Sequence, residues 1–338
     1  MNEQVRAAPP RRGNTLRSWL LGTAVLGGVV LVSLHWSEER DFAGLLHHAR
    51  PAWLLVATLL QALTYLAQGG VWQVVLARTR FRPRLWHLYK MSLAKLFVDQ
   101  AVPSAGVSGT LLIINGLTSR GVDRAPVMAC VVVETITNFT AFVLALVLAL
   151  ALAAWIGEAS LPIWIASAGF IAFSLGLVAL LLHLARGKRV RLPGLAERIP
   201  GFRTVLDALT EAPPELARNG RILTEATGLN FAIHLLDAAT LWCLLWAVGI
   251  LAHPGAVFAA FMLSTLARTI GVLPGGFGTF DGTLVAVLNL MGIPVAEALS
   301  ATLLFRGFSF FLPLVPGVLL SRAELRRGTG GTVLQPSA

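Results

Sequence analysis

Apolar residues arrive in blocks, and those blocks constrain the fold more than anything else in the sequence. Six stretches are long and apolar: Leu16–Leu34, Trp53–Ala77, Pro126–Ile156, Leu161–Ala185, Leu229–Leu251 and Val295–Leu320. A helix needs roughly 20 such residues to cross about 30 Å of hydrocarbon. Only 13% of the residues are charged, about half the share of a soluble domain. The expected class is an all-α polytopic membrane protein with about six full crossings.

The net charge of +10 would suit a nucleic-acid binder, but its placement points to a membrane instead. Arg6, Arg11, Arg12 and Arg17 lead into the first block, and Arg78, Arg80, Arg82, Arg84 and Lys90 follow the second. Arg186, Lys188, Arg189, Arg191, Arg198 and Arg203 follow Leu161–Ala185, and Arg322, Arg326 and Arg327 follow the last block. The alternate loops hold little positive charge: Arg40 and Arg50 face Glu38, Glu39 and Asp41, while Gly157–Ser160 and Ala252–Gly255 have no Lys or Arg. Cytoplasmic loops collect Lys and Arg, so both termini are expected in the cytoplasm, with the chain in the cytoplasmic (inner) membrane. The basic edges also attract anionic lipid head groups.

Residues 1–15 read as a basic cytoplasmic terminus, and 16–325 as the membrane domain. Leu16–Leu34 is too long for a signal-peptide core and reads as a signal anchor. Within the domain, Arg186–Thr227 carries Phe202, Val205, Leu206 and Leu209 at helical spacing. A Pro213-Pro214 break and a second polar stretch follow, the pattern of amphipathic helices on a membrane surface. The tail 326–338, rich in Gly and Thr, reads as disordered. Cys130 and Cys243 lie in apolar spans and are expected as buried thiols, with no disulfide framework or metal site.

Two further apolar stretches are interrupted. In residues 86–119 the interruption is Asp99-Gln100-Ala101-Val102-Pro103-Ser104-Ala105-Gly106-Val107-Ser108-Gly109. In 257–291 it is Arg268-Thr269-Ile270-Gly271-Val272-Leu273-Pro274-Gly275-Gly276-Phe277-Gly278. The arm after each proline, about 15 residues or 22 Å of helix, is short for a crossing. Each stretch therefore reads as a helical hairpin that enters the membrane and returns. Gly121-Val122 follows Pro103 at the same offset as Gly292-Ile293 follows Pro274, and an ion, Glu134 or Arg306, stands on the next long span. With the termini inside, one hairpin enters from each face, which makes an inverted repeat. Paired Gly/Pro-interrupted segments of this kind are the best sequence pointer to a transporter's binding site.

Seven ions, Lys95, Asp99, Glu134, Asp237, Arg268, Asp281 and Arg306, fall inside or at the edges of apolar spans. Each costs several kcal/mol at the bilayer centre, so internal pairing, for example of Asp281 with Arg306 or Arg268, is expected. Lys95 and Asp99, near a helix end, could instead reach water. A cavity with charges of both signs, flanked by helix N-termini, suits an anionic head group. The candidate lipid-binding residues are Asp99, Pro103, Gly106, Glu134, Arg268, Pro274, Gly275, Gly276, Gly278, Asp281 and Arg306.

Pro274-Gly275-Gly276-Phe277-Gly278-Thr279-Phe280-Asp281, then Gly292-Ile293 and Leu303-Leu304-Phe305-Arg306, resembles the signature of a flippase-like (UPF0104-like) membrane family. That family includes the transmembrane region of lysylphosphatidylglycerol synthase. Asp99, Pro103 and Gly106 look like its less regular half, and the resemblance runs roughly from Ala52 to Leu325. It implies a lipid-translocating domain with two re-entrant hairpins. The family usually has Glu where Asp281 stands, and a more Gly-rich, Arg-bearing stretch than Ser104–Gly109. With the sequence ending at Ala338, the soluble synthase domain is not expected, nor is lysine transfer.

No HExxH pair, P-loop or GxSxG elbow occurs, so neither an enzyme nor a cofactor is expected. The leading reading is translocation or binding of an anionic, phosphate-bearing lipid, with membrane lipids as partners and no nucleic acid. The alternatives are an accessory or scaffolding protein of a lipid, hopanoid or glycan pathway, with a membrane enzyme as partner, and a membrane-embedded glycosyltransferase.

Overall fold

A computed structural model of the chain describes residues 50–101, 106–156, 161–185, 208, 210–270 and 278–330. The expected span Leu16–Leu34, Pro103, Pro274–Phe277 and most of Arg186–Thr227 lie outside these residues. Every element among the described residues is helical. They are α1 (Pro51–Leu76), α2 (Leu85–Ala101), α3 (Val107–Thr118), α4 (Arg124–Ile156), α5 (Leu161–Leu184), the single turn α6 (Pro214–Ala217), α7 (Gly220–Ala247), α8 (Pro254–Ile270), α9 (Thr279–Leu290) and α10 (Val295–Arg306). A π-turn (Gly307–Phe311) joins α10 to α11 (Leu312–Gly330). Pro51–Leu76, Arg124–Trp155, Trp164–Leu184, Gly220–Ala247 and Val295–Ser321 are long and apolar enough to cross a membrane. These helices fall on five of the six expected crossings, and the remaining one, Leu16–Leu34, lies outside the described residues.

Local chemistry sets the helix ends. Pro51 opens α1, where a missing N–H costs nothing. Asn219 caps α7, its side chain accepting from Arg221 N and Ile222 N, which is why α7 starts nine residues before the apolar block at Leu229. α11 continues to Gly330 because Ala323-Glu324-Leu325-Arg326-Arg327 are good helix formers.

The two interrupted stretches have matching local structure. Each is a 17-residue arm followed by a 12-residue arm: α2 and α3 in one, α8 and α9 in the other. The second arms, about 18 Å long, both start after a glycine in the left-handed half of backbone space, Gly106 at φ 84° and Gly278 at φ 81°. Most side chains resist that conformation. Both arms also stop alike. Val122 N donates to Leu117 O at 3.2 Å and Ile293 N to Leu288 O at 3.1 Å, each just after a positive-φ glycine. This is the six-to-one bond of a Schellman cap.

Within a membrane the hydrophobic effect does not draw helices together, so close backbone approach carries the packing. A Cβ on Gly69 would lie 3.1 Å from the Leu88 backbone, and one on Gly70 3.2 Å from Leu229. These two glycines let α1 lie against α2 and α7. A Cβ on Gly317 would come within 2.8 Å of Leu93 O, so α11 seats closely on α2. Packing is reciprocal: α4, which follows the α2–α3 pair, packs on α8, and α11, which follows the α8–α9 pair, packs on α2.

Ion pairs fix which loops share an end of the bundle. Arg124 pairs with Glu211, and Arg78 and Arg221 both reach Glu225. The basic turns after α1, before α4 and before α7 therefore lie together. Ala208, Ala212 and Ala217, the described remnants of the polar segment before α7, are buried against this end. At the opposite end Arg50 N donates to Ala247 O, and Trp53, Trp242 and Trp246 form an aromatic cluster typical of a membrane interface. Cys130 and Cys243 are free and buried.

Candidate functional site

A cavity of about 280 Å³ opens among α1, α2, α7, α8, α9, α10 and the π-turn. Its polar wall includes Gln61, Thr64, Gln68, Lys95, Asp99, Asp237, Arg268 and Arg306, while Phe261, Phe280, Phe305 and Phe310 form an aromatic wall. The seven membrane ions named above gather in or just behind this wall. Four are carboxylates and three are cations.

The α2–α3 side holds a closed ion network. Lys95 lies 3.0 Å from Asp99 and 3.7 Å from Glu134. Glu134 also accepts from Trp72 Nε1 at 2.6 Å and Gln68 Nε2 at 3.1 Å. Asp99 accepts the Gly109 N–H at 2.9 Å, and a Cβ at position 109 would overlap its carboxylate. Lys95 and Asp99 thus face the cavity and reach a partner on α4. The reason is Glu134, which without a cation would be an uncompensated buried charge.

On the α8–α9 side Arg306 grips Asp281 in a fork, Nε to Oδ1 at 2.7 Å and Nη2 to Oδ2 at 3.2 Å. The expected pairing is present, and Arg306 is only 7% exposed. Asp281 Oδ2 also accepts from Gly278 N at 3.2 Å, one of the unsatisfied donors at the start of α9. Arg306 lies 4.8 Å and Arg268 5.7 Å from the centre of the Phe280 ring, a favourable placement for cations. Among the described residues Arg268 has no carboxylate within ion-pair distance.

Asp237 stands apart, served by neutral donors. Its Oδ1 accepts from Gln61 Nε2 at 3.0 Å, and Thr64 Oγ1 lies 3.3 Å from the same oxygen. Gln61 is itself steadied by a second bond, to Thr240 Oγ1 at 3.1 Å.

The π-turn beside the cavity has a covalent cause. Pro313 has no N–H to give to Ser309 O, the acceptor four residues back. Tyr65 takes the vacancy, its hydroxyl donating to Ser309 O at 2.8 Å.

Of the sequence-derived candidates, Asp99, Arg268 and Arg306 line the cavity. Glu134 and Asp281 stand behind the wall, holding Lys95 and Arg306. Gly106 and Gly278 set the starts of α3 and α9, whereas Pro103, Pro274, Gly275 and Gly276 lie outside the described residues. Sequence reasoning missed Gln61, Gln68 and Trp72, which meet the ions from α1, and Tyr65, which bonds Ser309 O beside the cavity. Their spacing of four, three and four residues in an apolar span was a readable signal of one polar helix face.

The family model of the lysylphosphatidylglycerol synthase TM region matches residues 19–317. A UPF0104 membrane protein of Methanocaldococcus jannaschii is 21% identical over 302 residues, 84% of this chain and 89% of the relative. Two phosphatidylglycerol lysyltransferases match more locally. That of Staphylococcus haemolyticus is 34% identical over 68 residues and that of Staphylococcus aureus 32% over 66. Each of these matches covers 20% of this chain and 8% of the lysyltransferase.

Proposed function

We propose that this chain, which belongs to the family of the lysylphosphatidylglycerol synthase TM region, binds the phosphate-bearing head group of a membrane lipid in the cavity at Arg268 and carries it across the cytoplasmic membrane. The observation that carries this reading is Arg268 itself: a cavity-lining guanidinium, set over Phe280, with no ion-pair partner among the described residues. A cation at membrane depth is costly when uncompensated, and its planar fork matches two phosphate oxygens. A cavity of some 280 Å³ is on the scale of a head group and not of acyl chains, which stay in lipid.

In this proposal the α2–α3 and α8–α9 pairs are re-entrant hairpins related as an inverted repeat. Support comes from the equal arm lengths, the matched glycine starts and Schellman ends, and the reciprocal packing of α4 on α8 and α11 on α2. The head group is proposed to lie between their tips, of which Pro103–Ala105 and Pro274–Phe277 lie outside the described residues. Six full crossings then put both termini, and the end of the bundle bearing Arg78, Arg124 and Arg221, in the cytoplasm. The role is transport, not catalysis, and the partner is membrane lipid.

The test is transbilayer movement of a fluorescent phosphatidylglycerol in proteoliposomes, read by reduction of the outer-leaflet label. Vesicles with the protein should exchange label between leaflets faster than empty vesicles, and vesicles with Arg268→Ala should resemble empty ones. Equal rates in all three would sink the proposal.

A further inference from the structure

We infer that Asp237 is a proton-binding site coupled to the cavity, and that the protein takes up one proton with each anionic head group it binds. The inference rests on the anion site proposed above and adds what must accompany the anion.

The ions around the cavity do not balance. Asp99, Glu134, Asp237 and Asp281 are four carboxylates; Lys95, Arg268 and Arg306 are three cations. One negative charge is in excess before any ligand arrives, and an incoming phosphate diester makes the excess two. Surplus charge at membrane depth is strongly unfavourable, and a second like charge disfavours the ionised form of a carboxylate.

Bonding shows where the proton goes. Asp281 is held by the Arg306 fork and the Gly278 N–H. Asp99 and Glu134 share Lys95, and each has further donors. Among the described residues Asp237 has no cation within ion-pair distance, and its contacts with Gln61 and Thr64 both fall on Oδ1. Oδ2 is therefore the oxygen to which a proton adds.

Charged and titratable groups stand on each helix packed against α7. α1 presents Tyr65 beside the neutral Gln61 and Thr64, and α4 presents Glu134, already engaged with Lys95. α8 presents Arg268, α10 presents Arg306, engaged with Asp281, and α7 itself carries His234 one turn away. The short α6 offers only Glu215, exposed at the basic end. Among the described residues, Arg268 is the one cation on these helices without a carboxylate within ion-pair distance. In the empty cavity it offsets Asp237 across the space. An arriving phosphate takes Arg268 over, and Asp237 is left as the surplus charge.

A metal cation fits less well, because Gln61 turns an N–H toward the carboxylate where a cation would need an oxygen. The proton comes from water or buffer in the open cavity, forms an O–H bond at Asp237 Oδ2, and returns to water when the head group leaves.

The test is calorimetric titration of dioctanoyl phosphatidylglycerol into the full-length protein in zwitterionic-lipid nanodiscs, with empty nanodiscs subtracted. It is run in sodium-free PIPES and in sodium-free Tris at one pH. These buffers differ in ionisation enthalpy, so the difference in heat counts protons. The diester phosphate stays ionised throughout and releases none. The parent should take up about one proton per lipid, and Asp237→Asn should bind the lipid with no buffer-dependent heat. Binding without proton uptake in the parent, or uptake unchanged in Asp237→Asn, overturns the coupling while leaving the anion site standing. Binding that requires added sodium also overturns it. Failure of the parent to bind the lipid under either ionic condition overturns the anion site and the coupling with it. The parent measurement alone decides the question if the variant does not fold.

Discussion

The two helix pairs share arm lengths and caps but treat charge in opposite ways. On the α2–α3 side the cation is the enclosed ion: Lys95 stands between Asp99 and Glu134, and Trp72, Gln68 and Gly109 occupy further acceptor positions. On the α8–α9 side Arg306 and Asp281 close on each other, and Arg268 is left facing the cavity. The register sharpens the contrast, since Asp99 and Arg268 each stand two residues before the end of the first arm. The same position thus carries opposite charge, engaged on one side and open on the other. Similar backbones can therefore make one half a scaffold and the other a receiver.

The largest effect should come from opening the pair that both sides lack a substitute for. Arg306→Ala leaves Asp281 uncompensated and should cost about 3–5 kcal/mol. Thermal unfolding in detergent should show Arg306→Ala/Asp281→Ala recovering part of that loss. Simple additivity would mean that the fork carries no coupling.

On the other side, Glu134→Gln should cost less, about 1.5–3 kcal/mol, because it weakens charge-assisted bonds while Lys95 keeps Asp99. If it destabilises as much as Arg306→Ala, the network is not shared in the way described. Gly109→Ala should cost about 1–3 kcal/mol, since the new methyl must displace the Asp99 carboxylate. Combined with Asp99→Ala, most of that penalty should disappear. Tyr65→Phe removes one hydrogen bond to Ser309 O and should lower stability by about 1 kcal/mol.

These contrasts also mark how far the sequence could be read. The crossings were legible because hydrocarbon demands long apolar runs, and α1, α4, α5, α7 and the Val295–Ser321 helix fall where those runs lie. The Asp281–Arg306 pair was legible because each ion alone would be too costly in the membrane. The long-range partner of Lys95 was not legible. Its local partner Asp99 is one turn away, but Glu134, which draws it inward, is 39 residues on, and periodicity carries no information at that range. The α1 contribution was overlooked for a different reason. Gln61, Gln68 and Trp72 are unremarkable singly, and their common helix face gains meaning only once the ions they meet are placed against it.

The central claim is that Arg268, and not the engaged cations, receives the anionic head group, and affinity measures it most directly. Binding of dioctanoyl phosphatidylglycerol should be compared for the parent and Arg268→Ala by lipid-dependent shifts in thermal unfolding. Loss of a charge-assisted contact predicts at least about a tenfold weaker affinity in the variant, with unfolding in the absence of lipid changed less than in Arg306→Ala, because among the described residues Arg268 has no carboxylate within ion-pair distance. An Arg268→Ala protein that folds and binds the lipid as tightly as the parent would contradict the account.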